Sequence, residues 1–490
     1  MNDARLSGLA VNPAAPAQVL LKLLAPEHED TWSALAGRRA SFPEEVAAAI
    51  VAHPDVRVRK ALARNPYVEP EVRGLLVDDP EWIVQAWLAG RPDRNRPVRP
   101  LPDRVIDRML TTYDNDCLSE LFSSRQIPFR VQLSFARHPL AAVRRYALNV
   151  WGSLTEAEQA ALLDDPDPDL RAAAQNTVRR RRDEDDEAVT ERELGTLPPP
   201  RNHWTTHLLV NCRLPRTVVD WMMNDPDRDA AWTLAHNYST PPDVVASLME
   251  HPDPDVRRQL ACRDDLPPAL VRVLARDPDP QVRTEVSLRP ELSEDERAAI
   301  DYVVEPDRHT GVPWEPHASA PADPAVSAAH ARSRHPLLRR RAATDPALPT
   351  ELVTLLARDD DAGVRLRLAH HHPAAPSDLL LDCYLSHPGP DHHRDLLTEH
   401  PNFPTADLGR RFATADTPAE RHLALLDPDL APDAAERLTH DPDAAVRAGA
   451  AAHPRLPAPS LMALLDDAEL GAHAAANPAL PTTVMRDLLS

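Results

Sequence analysis

The fold is decided by the stretch Asp345-Pro-Ala-Leu-Pro-Thr-Glu-Leu-Val-Thr-Leu-Leu-Ala-Arg-Asp359, which leads on to Val364-Arg365 and then to His372-Pro373. Pro349 sits where a helix begins. Its missing N–H costs nothing at the first helical position, and its fixed φ suits that place. Leu352, Val353, Leu355 and Leu356 follow at i, i+3, i+4 spacing and form one apolar stripe. A second helix starts after the acidic turn that begins at Asp359. His372-Pro373 closes it, because the residue before a proline is pushed out of the α region.

The same order returns along the chain. In Leu266-Pro267, Val271 to Leu274 and Asp277-Pro-Asp-Pro-Gln-Val282-Arg283, Asp277 is placed to cap, Pro to take the first helical position, and the next acid to meet the positive helix end. The apolar-Pro step registers at Pro16, Pro43, Pro70, Pro102, Pro128, Thr155, Pro215, Pro242, Pro267, Ser293, Pro349, Pro376, Pro404, Pro432, Pro457 and Pro481. The steps are 24 to 32 residues, except two of 60 and 56 that each span about two periods. Thr155 and Ser293 replace Pro with other residues that start helices. A unit of ~26 residues holds a helix of two to three turns, a shorter helix or 3₁₀ segment and two tight turns, and it leaves apolar stripes that only a neighbour can cover. The expected fold is all-α: an α-solenoid of about 16–18 short helical repeats, alternating a longer α-helix with a shorter helix or 3₁₀ segment.

These units resemble the leucine-rich repeat variant (LRV) family, whose repeats alternate an α-helix with a 3₁₀ helix. They are also similar to short HEAT-like repeats, which carry the same Asp-Pro and Val-Arg step. The resemblance covers nearly the whole chain and implies architecture rather than activity. Some LRV proteins hold an iron–sulfur centre on an N-terminal cysteine cluster, but here no cysteine precedes Cys117, so that feature is not carried over.

Composition narrows the function. The chain has 490 residues, a formal charge of −21, 53 prolines and only 12 glycines. Gly74 and Gly90 are the closest pair of glycines, 16 residues apart, so no GxGxxG, Walker or GxSxG motif exists, and HExxH is absent too. Cys117, Cys212, Cys262 and Cys383 form no CxxC pair. Scattered cysteines, no apolar run long enough to span a membrane and no secretory leader lead us to expect a cytoplasmic protein. The acidic field should repel nucleic acid and attract basic partners.

Two interruptions mark the expected organisation: solenoid blocks at 1–176, 202–304 and 324–490, a charged and Pro-rich insertion at 177–201, and a Pro/Ala-rich connector at 305–323. Arg179 to Arg182 beside Asp183 to Glu187 read as a solvated loop or a docking segment. Trp314, in the second interruption, either packs back or meets a partner.

The arginines of the Val-Arg step and its Leu-Arg variant, Arg57, Arg144, Arg171, Arg257, Arg283, Arg365 and Arg447, are expected to form a structural ladder. A guanidinium can bond bidentately to a carboxylate of the adjacent unit. A phosphate-binding row is opposed by the nearby acids. His370, His371, His372, His392 and His393, with Cys383 among them, are the metal candidates, since imidazole and thiolate suit transition metals. Against that, His372 occupies the His-Pro turn position. Trp82, Trp87 and Trp314 are the candidate partner contacts; for Trp204, Trp221 and Trp232, as for Trp82 and Trp87, core filling is the favoured reading.

No catalytic residue and no cofactor are expected. The leading expectation is a non-enzymatic scaffold that binds a protein or peptide of basic character on an extended surface. The alternatives are a nucleic-acid protein or enzyme resembling HEAT-like DNA glycosylases, and a metal-binding or redox-linked repeat protein.

Overall fold

A computed structural model describes residues 4–90, 92, 99–124, 126–225, 228–305, 323–386 and 391–489. Among these residues 35 α-helices and four 3₁₀ segments form, and there is no strand, so the protein is all-α. No described helix is long and apolar enough to cross a membrane.

The registered positions cap or open helices throughout, with Pro404 the exception. Pro43, Pro102, Pro215, Pro267, Pro349 and Pro457 are N-caps, while Pro70, Pro242 and Pro432 take the first helical turn. Thr155 and Ser293 build full capping boxes with Glu158 and Glu296. After Pro404 the next helix, Leu408–Phe412, starts late, behind Asp407 in the left-handed region at φ 62°.

The expected alternation holds in places, as where the 3₁₀ segment Arg145–Ser153 follows Ala141–Arg144, but in the pair that starts at Pro242 the two helices differ little. Pro242–Leu248 has 7 residues and the helix after it, Pro254–Ala261, has 8. The second helix is a full α-helix rather than a shorter or 3₁₀ piece, because it starts on two favourable features. Asp253 accepts the Asp255 N–H at 2.9 Å, and Pro254 occupies the first turn.

Contacts divide the described residues into two compact units. One comprises the described residues within 135–305 and 323–375, the other those within 4–134 and 376–489. In the first of these, Arg228–His236 packs on Pro254–Ala261, which packs on Pro280–Ser287. Their buried stripes, including Leu234, Val256, Leu260, Val282 and Val286, share one apolar core. The stretch expected to interrupt at 177–201 is largely helical. Pro168–Glu184 runs on from the Asp167 cap without a break, and Glu187–Leu194 follows. Its arginines are good helix formers, Arg180 stands four residues from Glu184 at 3.9 Å, and Leu194 joins the core. The connector at 305–323, Trp314 included, lies outside the described residues apart from Glu305 and Asp323.

In the other unit, two segments distant in sequence pack together. Ala4–Val11 lies against Gly471–Ala475. Glu399 meets Arg39 at 3.7 Å and the Tyr67 hydroxyl at 3.4 Å.

Candidate functional site: a polar ladder and an exposed aromatic pair

The turn between the paired helices is tied by one arginine. Arg257 donates from Nε and Nη2 to both carboxylate oxygens of Asp277 at 2.7 and 2.9 Å. Its Nη1 donates back to the carbonyls of His251 and Pro252 at 2.5 and 3.3 Å. Asp277 also accepts the Asp279 N–H at 2.8 Å, which shapes its own turn. One side chain thus satisfies the orphan carbonyls of its own turn and grips the next turn, 20 residues on.

Arg144 grips Asp165 and Arg339 grips Asp359 in the same bidentate way, and Arg283 reaches the Asp301 carbonyl and carboxylate. In the other unit Arg59 grips Asp79, Arg421 grips Asp441 and Arg447 grips Glu469. The electrostatics follow from the pairing. The Arg144 and Arg421 hydrogen bonds hold the Asp165 and Asp441 carboxyls below the usual range, and the carboxylates raise the arginines in turn. Arginines engaged this way are not a row of free phosphate sites.

The structural rule is position four after the helix cap: Arg257 follows Asp253, Arg339 follows His335, Arg421 follows Thr417 and Arg59 follows Asp55. This corrects the expectation for Arg57. It stands two residues after the cap, is exposed, and bonds Asp55 at 2.8 Å and Glu29 at 3.3 Å. That bond pulls the Asp55 carboxyl down to about 2. Arg59 holds the ladder position instead. Arg421 is not visible as Val-Arg because Glu420 precedes it, and Arg339 has the Leu-Arg spelling of Leu338-Arg339, recognised from sequence only at Arg171; counting from the cap finds both. Arg171 bonds the Asp165 carbonyl, and Arg365 bonds those of Asp359 and Asp360.

A second set of rungs lies in the turn after the second helix. Asn65 donates from Nδ2 to the carbonyls of Ala36 and Arg38 at 2.7 and 3.0 Å, and its Oδ1 accepts the Tyr67 N–H at 2.9 Å. Asn237 and Asn477 repeat this. Histidine substitutes by the same logic. His453 accepts the Arg455 N–H at Nδ1, which leaves Nε2–H to donate to the Asp427 carbonyl at 3.0 Å.

His372 is such a turn residue, buried, with Nδ1 accepting the Ala374 N–H at 3.1 Å. His370 and His371 end the helix Ala362–His371, and Cys383 is buried in Ser377–Leu385. His392 and His393 belong to Asp391–Thr398, and their side chains lie outside the described residues. Among the described residues no group of three or more His, Cys, Asp or Glu is arranged to hold a metal.

The aromatic candidates separate. Trp87 is half-buried, with the Arg64 guanidinium 4.5 Å and the Lys60 amine 5.8 Å from its ring. Trp82 is exposed, and its indole N–H donates to Asp114 at 2.8 Å. Trp221 packs against the apolar core. Trp204 and Trp232 do not fill the core: they are 52% and 38% exposed on two helices in contact, His203–Asn211 and Arg228–His236. Each lies flat on a histidine of its own helix, Trp204 on His207 at 5.5 Å and Trp232 on His236 at 5.3 Å. Gln259 on the next helix bonds His236 at 2.9 Å. Sequence reading missed this pair because aromatic spacing alone does not tell which side of a short helix faces water.

No protein-family model matches the chain, and no curated protein matches it.

Proposed function

We propose that this protein is an α-solenoid of the LRV or HEAT-like kind that works as a non-enzymatic scaffold, binding a protein or peptide partner on an extended surface. The ladder supports the architectural half of this reading. Arginine and aspartate rungs at a spacing near 20, and asparagine rungs near 26, tie neighbouring turns together.

One observation carries the functional half: Trp204 and Trp232 stand exposed on two helices in contact, each stacked on a histidine of its own helix. Rigid aromatic rings lose little conformational entropy on contact and dominate interface energetics. The net charge of −21 favours a basic partner.

The test is a comparative capture. The native chain should retain a partner from its own cell extract and lose it when Trp204→Ala and Trp232→Ala are combined. Helicity should be unchanged, since neither ring fills the core. Equal capture by the double variant would remove the aromatic pair as the contact.

A further inference from the structure

The helix Ala4–Val11 seats on Gly471–Ala475 with the two backbones in close approach at Gly8. A Cβ at Gly8 would lie 1.8 Å from the Ala472 carbonyl oxygen, so only glycine permits the contact. Leu9 and Ala10 are fully buried. Asn12 then donates from Nδ2 to the carbonyls of Ala475 and Asn477 at 2.9 and 2.7 Å, and its Oδ1 accepts the Ala14 N–H at 2.8 Å. Asn477 makes the same three bonds one turn earlier, to Ala451, His453 and Ala479 at 2.9, 2.7 and 2.8 Å. Arg38 carries the series onward to the Asn12 carbonyl at 3.3 Å, and Arg5 meets Asp466 at 3.5 Å. Residues 4–12 therefore occupy, on Gly471–Asn477, the place that a covalently following unit would fill.

This joint is held only by non-covalent contacts between segments more than 450 residues apart. We propose that the Gly471–Asn477 face is an exchangeable docking site, and that residues 4–12 of a second copy of this chain can take the place filled in cis. The site would recognise a short helix with glycine where the backbones touch and asparagine one residue beyond its end. Every contact is the same in cis and in trans, so what separates the two is the effective concentration of the tethered segment, and the exchanged form grows with protein concentration. The inference stands apart from the scaffold reading and does not need it.

The test uses the full chain with the exposed Cys262 changed to Ser. Arg5→Cys and Asp466→Cys are made singly and together, then treated with a short bismaleimide. The double variant should crosslink within one chain; failure to do so overturns the closure itself. A mixture of the two single variants should yield a covalent dimer that rises with concentration, above the level of either variant alone. Gly8→Val on the Arg5→Cys chain should cut that dimer by about tenfold or more, and Asn12→Ala should also reduce it, with helicity checked by circular dichroism. A double variant that links in cis while the mixture gives no dimer overturns the exchange. So does a dimer that survives both substitutions.

Discussion

Removing one carboxylate, Asp277→Ala, tests whether the ladder is a source of stability or a decoration of the turns. The Arg257 and Asp277 side chains are only 10% and 5% exposed. The substitution deletes the acceptor of two charge-assisted bonds from Arg257 and of the Asp279 N–H. Arg257 keeps its Nη1 bonds to His251 and Pro252, so Nε and Nη2 stay where they are, buried and unanswered. Breaking a buried pair from one side costs about 3–5 kcal/mol, mostly the desolvated charge left behind. The control is the exposed pair Arg437–Asp433, whose side chains are 56% and 75% exposed. Asp433→Ala should leave the urea midpoint almost unchanged, since solvent screens an exposed pair. Urea unfolding followed by circular dichroism compares the two, and hydrogen exchange of Pro254–Ala261 and Pro268–Leu274 localises the loss. Combining Asp277→Leu with Arg257→Leu should cost less than the sum of the single changes, since no charge is then stranded. Equal losses for Asp277→Ala and Asp433→Ala would refute the reasoning.

Two further outcomes are expected. Arg38 is buried with Nε and Nη1 lacking an acceptor, and burial lowers its pKa; Arg263 and Arg289 have Asp265 and Glu291 two residues on, where Arg38 has Ala40. Ala40→Asp should therefore raise stability by about 1 kcal/mol, read as a higher urea midpoint, and Ala40→Asn should give less; a fall with Asp counts against the assignment. His335, 1% exposed and stacked 4.0 Å from Tyr302, has its pKa pushed down to about 4 by burial. The unfolded chain binds this proton first, so the contribution is full above about pH 6.5 and is lost as pH falls toward 4, amounting to ~3 kcal/mol. Urea midpoints measured from pH 7.5 to 4.5 should decline more steeply for the native chain than for His335→Gln, and parallel slopes would dismiss the role.

Much of the local structure was legible because it is written in residues with few conformational choices. A proline at a helix start, an aspartate or threonine as its cap and the i, i+3, i+4 stripe each act within a few residues, and Pro349 and Ser293 sit where that chemistry predicts, whereas the cap expected at Asp277 falls one Asp-Pro step later, on Asp279, because Asp277 is taken by Arg257. The charged run after Thr177 misled because its composition suits solvent equally as loop or as helix face. What made it helix was the unbroken stretch from the Asp167 cap and the burial of Leu194. Arg57 misled for a related reason. Val-Arg spelling marks a residue type, whereas reaching the next turn depends on distance from the cap, a property of Arg59.

The sequence by itself determined that the chain is all-α and that the registered Pro, Thr and Ser positions, Pro404 apart, begin helices, because caps, prolines and apolar spacing are short-range effects. Only the tertiary structure decided which arginine finds a carboxylate about 20 residues away, that Trp204 and Trp232 face water, and that Ala4–Val11 seats on Gly471–Ala475. Those outcomes depend on what a neighbouring helix covers and on how closely two backbones approach, and neither is encoded in any single stretch of the chain.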